Sequence, residues 1–128
     1  CSYHYYIISI LFRIFVLMIF RKVIGKTLFK NSFGYKNGQT EFYQILVNDS
    51  PIAEIEVKPK TGNDSPEILS LYTDSNYRGM GVGKMLVTKV LETYLVEEMF
   101  VLTTKKSRPF WIKIGAVISS DFLYKFIK

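Results

Sequence analysis

Tyr77-Arg78-Gly79-Met80-Gly81-Val82-Gly83-Lys84 decides how the rest of this chain is read. Before it, Ile68 to Thr73 is an apolar, strand-like run. After it, Val82 to Val96 carries Val82, Leu86, Val87, Val90, Leu91, Tyr94 and Leu95 at helical spacing. The glycines therefore sit where a strand feeds a helix. Glycine lets the backbone approach a ligand and adopt conformations that side chains forbid. A helix N-terminus offers open N–H donors and partial positive charge, so the stretch predicts an anion site of the kind that holds phosphates. A glycine-rich turn without a ligand is the plain alternative. The flanking cations Arg78 and Lys84 weigh against it.

Two familiar phosphate loops are excluded by spacing. A Walker loop requires a glycine where Arg78 stands and a Ser or Thr where Met85 stands. Gly25-Lys26-Thr27 fails as well, because Phe20 occupies its upstream glycine position. The dinucleotide fingerprint G-x-G-x-x-G is not met, since the stretch reads G-x-G-x-G. The pattern that is met is Arg/Gln-x-x-Gly-x-Gly/Ala, at Arg78, Gly81 and Gly83. It resembles the coenzyme A pyrophosphate loop of the GNAT superfamily of acyl-CoA N-acyltransferases.

At 128 residues the chain is one domain at most. It is shorter than a usual domain of that superfamily, and Cys1 stands where a start Met would, which together suggest a fragment or processed chain. One cysteine excludes an internal disulfide, and one His with one Cys leaves almost no ligands for a His/Cys metal site. The net charge of +6 belongs to residues 1–40, which hold Arg13, Arg21, Lys22, Lys26, Lys30 and Lys36 and no acid. The rest of the chain is neutral, so no nucleic-acid partner is expected.

Residues 5–20 are almost continuously apolar, interrupted by Arg13 and closed by Arg21-Lys22. Three readings stand for them: a buried N-terminal helix, a membrane-associating anchor, or a fragment end foreign to the domain. About 20 apolar residues make a comfortable span, so the run is short and carries a costly charge. A cytoplasmic protein is expected, with membrane association through residues 5–20 as the alternative. Residues 23–40 read as a linker with a turn at Asn37-Gly38. The domain proper begins near residue 41. Glu41–Val47 and Ile52–Lys58 read as a hairpin around Asn48-Asp49-Ser50-Pro51. In its second strand Ala53, Ile55 and Val57 share one face, and Glu54, Glu56 and Lys58 the other. Glu67–Thr73 is a third strand. Met99–Thr103 is a buried strand. Ser107 and Pro109 open a short helix that Gly115 ends, and Val117–Ser119 and Phe122–Ile127 close the chain as strands. A strand–helix–strand unit around the loop predicts one parallel pairing in a mixed sheet.

Phe110-Trp111-Ile112-Lys113-Ile114-Gly115-Ala116 is similar to a second GNAT segment, Phe-Tyr-x-Lys-Leu-Gly-Phe. The resemblance spans about residues 41–127. It implies an α/β (α+β) fold: a mixed, mainly antiparallel sheet flanked by helices, with a β-bulge strand and the pyrophosphate loop before the main helix. It implies acetyl-CoA as co-substrate, no metal, and an amine acceptor, small molecule or protein, that the sequence does not identify. Leu71, Tyr72 and Thr73 match the strand that pairs with pantetheine. Arg78, Gly79, Met80, Gly81, Val82, Gly83 and Lys84 match the pyrophosphate loop, and Trp111 lies on the later cofactor-binding helix. Lys84, Lys105, Lys106 and Arg108 could meet further phosphate charge, although solvated lysines are the ordinary case. Glu67 matches the glutamate that serves histone-type members as general base. A charged residue at a strand start after Pro66 is the plain alternative. The usual tyrosine acid is replaced by Trp111, whose indole is no useful acid. Tyr72, Tyr77, Tyr124 or water is left to supply the proton. Thr104 stands where an asparagine is common.

Overall fold

Among the described residues, eight strands form one sheet, in the order β1-β2-β3-β4-β5-β6-β8-β7. The computed structural model describes residues 3–10, 14–23, 40–59, 62, 65–94, 96–120 and 123–127. The strands are β1 (Tyr3–Ile10), β2 (Ile14–Lys22), β3 (Glu41–Val47), β4 (Ser50–Lys58), β5 (Glu67–Thr73), β6 (Glu98–Leu102), β7 (Val117–Ile118) and β8 (Leu123–Ile127). Helix α1 (Val82–Thr93) joins β5 to β6, and α2 (Arg108–Lys113) joins β6 to β7. Among the described strands, β5 and β6 are the parallel pair and the other neighbours are antiparallel. The expected linker at 23–40, with its Asn37-Gly38 turn, lies mostly outside the described residues, as do Leu95 and Phe122.

Of the three readings of the N-terminal run, the buried helix is not met. The run supplies β1 and β2, and β2 pairs with β3 from Met18↔Val47 to Lys22↔Tyr43. Its Tyr, Ile, Phe and Val content suits strands, and an apolar run without a clear period is equally open to either structure. Phe20 stacks on Tyr43 with ring centroids 5.5 Å apart. Lys22 forms an ion pair with Glu41, which also accepts a 2.7 Å hydrogen bond from the Tyr94 hydroxyl. Burial raises the Glu41 pKa, but the Lys22 ammonium and the Tyr94 hydroxyl outweigh it and hold the carboxyl below its usual range. No helix among the described residues is long and apolar enough to cross a membrane.

The β3–β4 hairpin turns on Asn48 and Asp49, both left-handed at φ 50° and 62°. Two such residues suit the twist of a two-residue hairpin, and Asn and Asp tolerate the conformation. So β4 starts at Ser50 rather than Ile52. Pro51 lies beside a register shift, where the ladder can spare its missing N–H.

Cross-strand register divides the sheet into two faces. On one, Phe20, Tyr43, Ile45, Ala53, Ile55, Val57, Ile68, Met99, Val101, Tyr124 and Phe126 form a buried core with Val82, Leu86, Val87 and Val90 of α1 and with Trp111 of α2. On the other, Arg21, Gln44, Glu54 and Tyr72 lie opposite one another across four strands. Arg21 Nη2 donates to Gln44 Oε1 at 3.1 Å, and Gln44 Nε2 donates to Glu54 Oε1 at 2.8 Å. Glu56 accepts from Thr40 Oγ1 at 2.9 Å. The alternation in β4 is as expected, yet Glu54 and Glu56 are fully buried. Their hydrogen bonds make that burial tolerable. Glu54→Leu leaves the buried Gln44 amide without this acceptor. It should cost about 1–3 kcal/mol, read as a lower urea midpoint at unchanged slope.

Candidate active site

A one-residue bulge in β5 sets the geometry of the site. Val57 pairs with Ile68, but the next pair is Glu56 with Ser70, so Leu69 is the extra residue. A bulge of this kind shifts which residues share a face. Glu67, Ser70 and Tyr72 therefore point to the face of Glu54 and Glu56, while Ile68, Leu71 and Thr73 point towards α1. The bulge also marks where β5 and β6 separate. Their pairing consists of Glu67↔Phe100 and Ile68↔Val101.

Beyond that point lies a cleft of about 820 Å³. One wall is Leu69 to Thr73 of β5 with Tyr77, Arg78, Gly79 and the first turn of α1, Gly81 to Lys84. The other is Leu102, Thr104, Lys106 and Ser107, with Phe110, Trp111, Lys113 and Ile114 of α2. The loop between β5 and α1 is held from both ends. Asp74 Oδ1 accepts from the Asn76 N–H at 2.9 Å, and Arg78 Nε donates to the Thr73 carbonyl, also at 2.9 Å.

The three loop glycines answer different needs. Gly79 and Gly81 have φ of +78° and +81°, and a Cβ on either would meet open space. Their requirement is conformational. A Cβ on Gly83 would lie 3.3 Å from Phe110 Cζ and 3.5 Å from Leu71 Cδ2 and Thr73 Oγ1. Its requirement is close packing of α1 on β5 and α2. Gly81 is the N-cap of α1 and brings no side chain to cap it, and the first turn carries no acid. Lys84 stands in that turn, where a cation opposes the helix dipole. That placement is poor for an isolated helix and good for one receiving an anion.

Of the residues expected at the site, Leu71, Tyr72, Thr73, Arg78, Gly79, Gly81, Val82, Gly83, Lys84 and Trp111 line the cleft. Met80 does not; it packs against the core. Trp111 is both core and wall: it is 4% exposed, with Phe110 and Phe126 edge-to-face at 5.0 and 6.3 Å. Tyr124 pairs with Val101 on the core face, is 5% exposed and lies outside the cleft lining. Glu67 is outside the lining too, but the bulge places it one same-face position from Ser70. Burial pushes the Glu67 carboxyl above its usual range, and the Lys58 ammonium draws it back only in part. Ser70, Tyr77, Thr104 and Lys113 line the cleft without having been singled out as cofactor contacts. Lys105 and Arg108 are not in the lining.

The model of the acetyltransferase (GNAT) family matches residues 11–115. The chain belongs to the GNAT family. The match begins 30 residues before Glu41, the start of the resemblance seen in the sequence, and takes in β2. No curated protein matches the chain. Among solved structures, GCN5 of Tetrahymena superposes with a TM-score of 0.63 at 15% identity, covering 71% of this GNAT chain and 69% of that one. PaiA N-acetyltransferase of Thermoplasma acidophilum, solved in complex with coenzyme A, has a TM-score of 0.57 at 23% identity, covering 68% and 60%. AtaTR, bound with AcCoA, has a TM-score of 0.59 at 16% identity, covering 71% and 69%. At these identities the likeness establishes the GNAT fold. Membership places the chain in the class of acetyl-CoA-dependent acetyltransferases.

Proposed function

We propose that the chain transfers an acetyl group from acetyl-CoA to a primary amine. The observation that carries this reading is the cleft at the parting of β5 and β6, which ends on the N-terminus of α1. In this reading pantetheine lies along β5 from Leu71 to Thr73, where backbone groups no longer pair with β6 and can meet its amides. The diphosphate takes the N–H groups of Gly79 to Lys84, with Arg78 and Lys84 as counter-charges.

Acyl transfer requires that the amine lose a proton, that the tetrahedral oxyanion be stabilised, and that the thiolate leave. Glu67 takes the amine proton through one water, since it shares a face with Ser70 and Tyr72 without lining the cleft itself. The freed amine attacks the thioester carbon, and the adduct nitrogen gives its remaining extra proton to water, from which any tyrosine that protonates the thiolate is replenished. As the C–S bond breaks, the thiolate takes a proton from a cleft hydroxyl, at Tyr72 or Tyr77, or from water. The core position of Tyr124 argues against it in that role.

Two assays test the reading. Coenzyme A at about a hundred times its Kd should raise the melting temperature by roughly 10 °C. No shift at millimolar coenzyme A ends the proposal. Turnover is then read as thiol release from acetyl-CoA against a panel of primary amines. Trp111 at the usual tyrosine position favours one second reading, a module that binds acyl-CoA without turnover. A thermal shift without thiol release from any amine selects it.

A further inference from the structure

Ser70 carries a hydroxyl for which the fold itself supplies no use. Its Oγ is buried and has no hydrogen-bond partner among the described residues. A buried hydroxyl without a partner is costly and uncommon, so it calls for a use that the folded chain alone does not provide. Glu56 stands directly opposite Ser70 on β4, but its Oε2 takes the Thr40 hydroxyl at 2.9 Å. Along β5, Ser70 is the next residue after Glu67 on the same face, and Tyr72 follows it. Ser70 and Tyr72 line the cleft, whereas Glu67 does not. Ser70 therefore stands between the proposed base and the cleft, at the step along the strand where the two must communicate.

We propose that Ser70 is a positioning residue for acetyl transfer, whose hydroxyl holds the water through which Glu67 takes the proton of the acceptor amine. This rests on the acetyl-transfer reading above, with Glu67 as its base. A turn about χ1 carries Oγ from the wall to the cleft and breaks no hydrogen bond with a described residue. The water donates one O–H to the Glu67 carboxylate and the other to Ser70 Oγ, which leaves a lone pair turned to the ammonium. A proton passes from the ammonium nitrogen to the water oxygen as the water gives one of its own to the carboxylate. The water is regenerated, Glu67 becomes neutral and the amine is free to attack. Ser70 fixes the geometry and exchanges no proton.

A double-mutant cycle on the full chain tests this. Thiol release from acetyl-CoA is measured with n-propylamine, spermidine and a lysine-containing peptide, and the acceptor turned over fastest is carried into the variants. Ser70→Ala should lower kcat about ten- to a hundredfold and leave the KM for acetyl-CoA unchanged. Its melting temperature should equal or exceed that of the wild type, because the hydroxyl has no partner to lose. In the Glu67→Gln background the same substitution should change kcat by less than about twofold, since a held water without a base has nothing to serve. A loss that persists at full size in that background assigns Ser70 to another step and overturns the relay. Wild-type kcat in Ser70→Ala overturns the positioning role while the acetyl-transfer reading stands. A lowered melting temperature in Ser70→Ala shows a structural partner for the hydroxyl and overturns it as well. No thiol release from the wild type with any of the three amines overturns the relay together with the turnover reading.

Discussion

Gly81→Glu should reduce coenzyme A affinity by more than about a hundredfold while the protein remains folded. A Cβ at this position meets nothing within 4 Å, so the substitution is not a packing defect. The left-handed backbone at φ +81° does strain any residue with a side chain, at a cost of about 1–2 kcal/mol. Against that, the new carboxylate sits at a helix N-terminus, which it stabilises by roughly 0.3–1 kcal/mol. The free protein therefore loses little. Binding loses much, because the carboxylate takes the donors and the dipole that the diphosphate would use and repels the diphosphate itself. Gly81→Ala is the control, since it keeps the strain and omits the charge. A small loss of affinity for the alanine variant and a large one for the glutamate variant locates an anion at the loop. Wild-type affinity in Gly81→Glu would remove the loop as the diphosphate site. Gly83→Asp should abolish binding too, but by a different route, as its Cβ enters the contact between Phe110, Leu71 and Thr73 and lowers the melting temperature as well.

Glu67→Gln should lower kcat by about 10²- to 10⁴-fold and leave the coenzyme A Kd unchanged, because general base catalysis typically contributes that much and the carboxyl is outside the cofactor cleft. The pH profile gives the sharper test. A base works when deprotonated, so the rate rises with pH through the pKa of Glu67. Burial has moved that pKa upward from 4.5, so the acidic limb should lie above the pH of an ordinary glutamate. In Glu67→Gln the limb should disappear. A limb that survives unchanged assigns it to another group.

The loop, its flanking strand and helix, and the β3–β4 hairpin were legible in the sequence because each is coded within a few neighbouring residues. The glycines, the helical stripe from Val82 to Val90 and the alternation of β4 are local signals. Three features were not local. The N-terminal strands arise from an apolar run whose structure depends on what it pairs with, here β3. The position of the bulge at Leu69 is a register relation between β4 and β5 that neither strand states alone. The burial of Glu54 and Glu56 depends on what covers their face, whereas alternation reports only which face they take. Tyr124 is a different case. The run Leu123-Tyr124-Lys125-Phe126-Ile127 already pairs Tyr124 with Phe126 against Lys125, and that period-two signal points it to the core. Lys113 carried no distinguishing signal, because a lysine in the last turn of a helix is common for the dipole alone.

The extra residue in β5 acts as a phase shifter between two stretches of one strand. Upstream, odd-numbered positions face away from α1; downstream, even-numbered ones do. The face of Glu67, Ser70 and Tyr72 and the packing face are thus assigned by counting from Leu69, and substitutions elsewhere in β5 leave the count untouched. Deleting Leu69 would restore a single phase and force a choice. Either Leu71 and Thr73 keep their places beneath Gly83, and Glu67 turns into the core against α1, or Glu67 keeps its face and the floor beneath the glycine loop inverts. One residue of chain length separates a strand that supports a helix from a strand that also turns a carboxylate to the opposite face, and no change of side chain at that position can stand in for it.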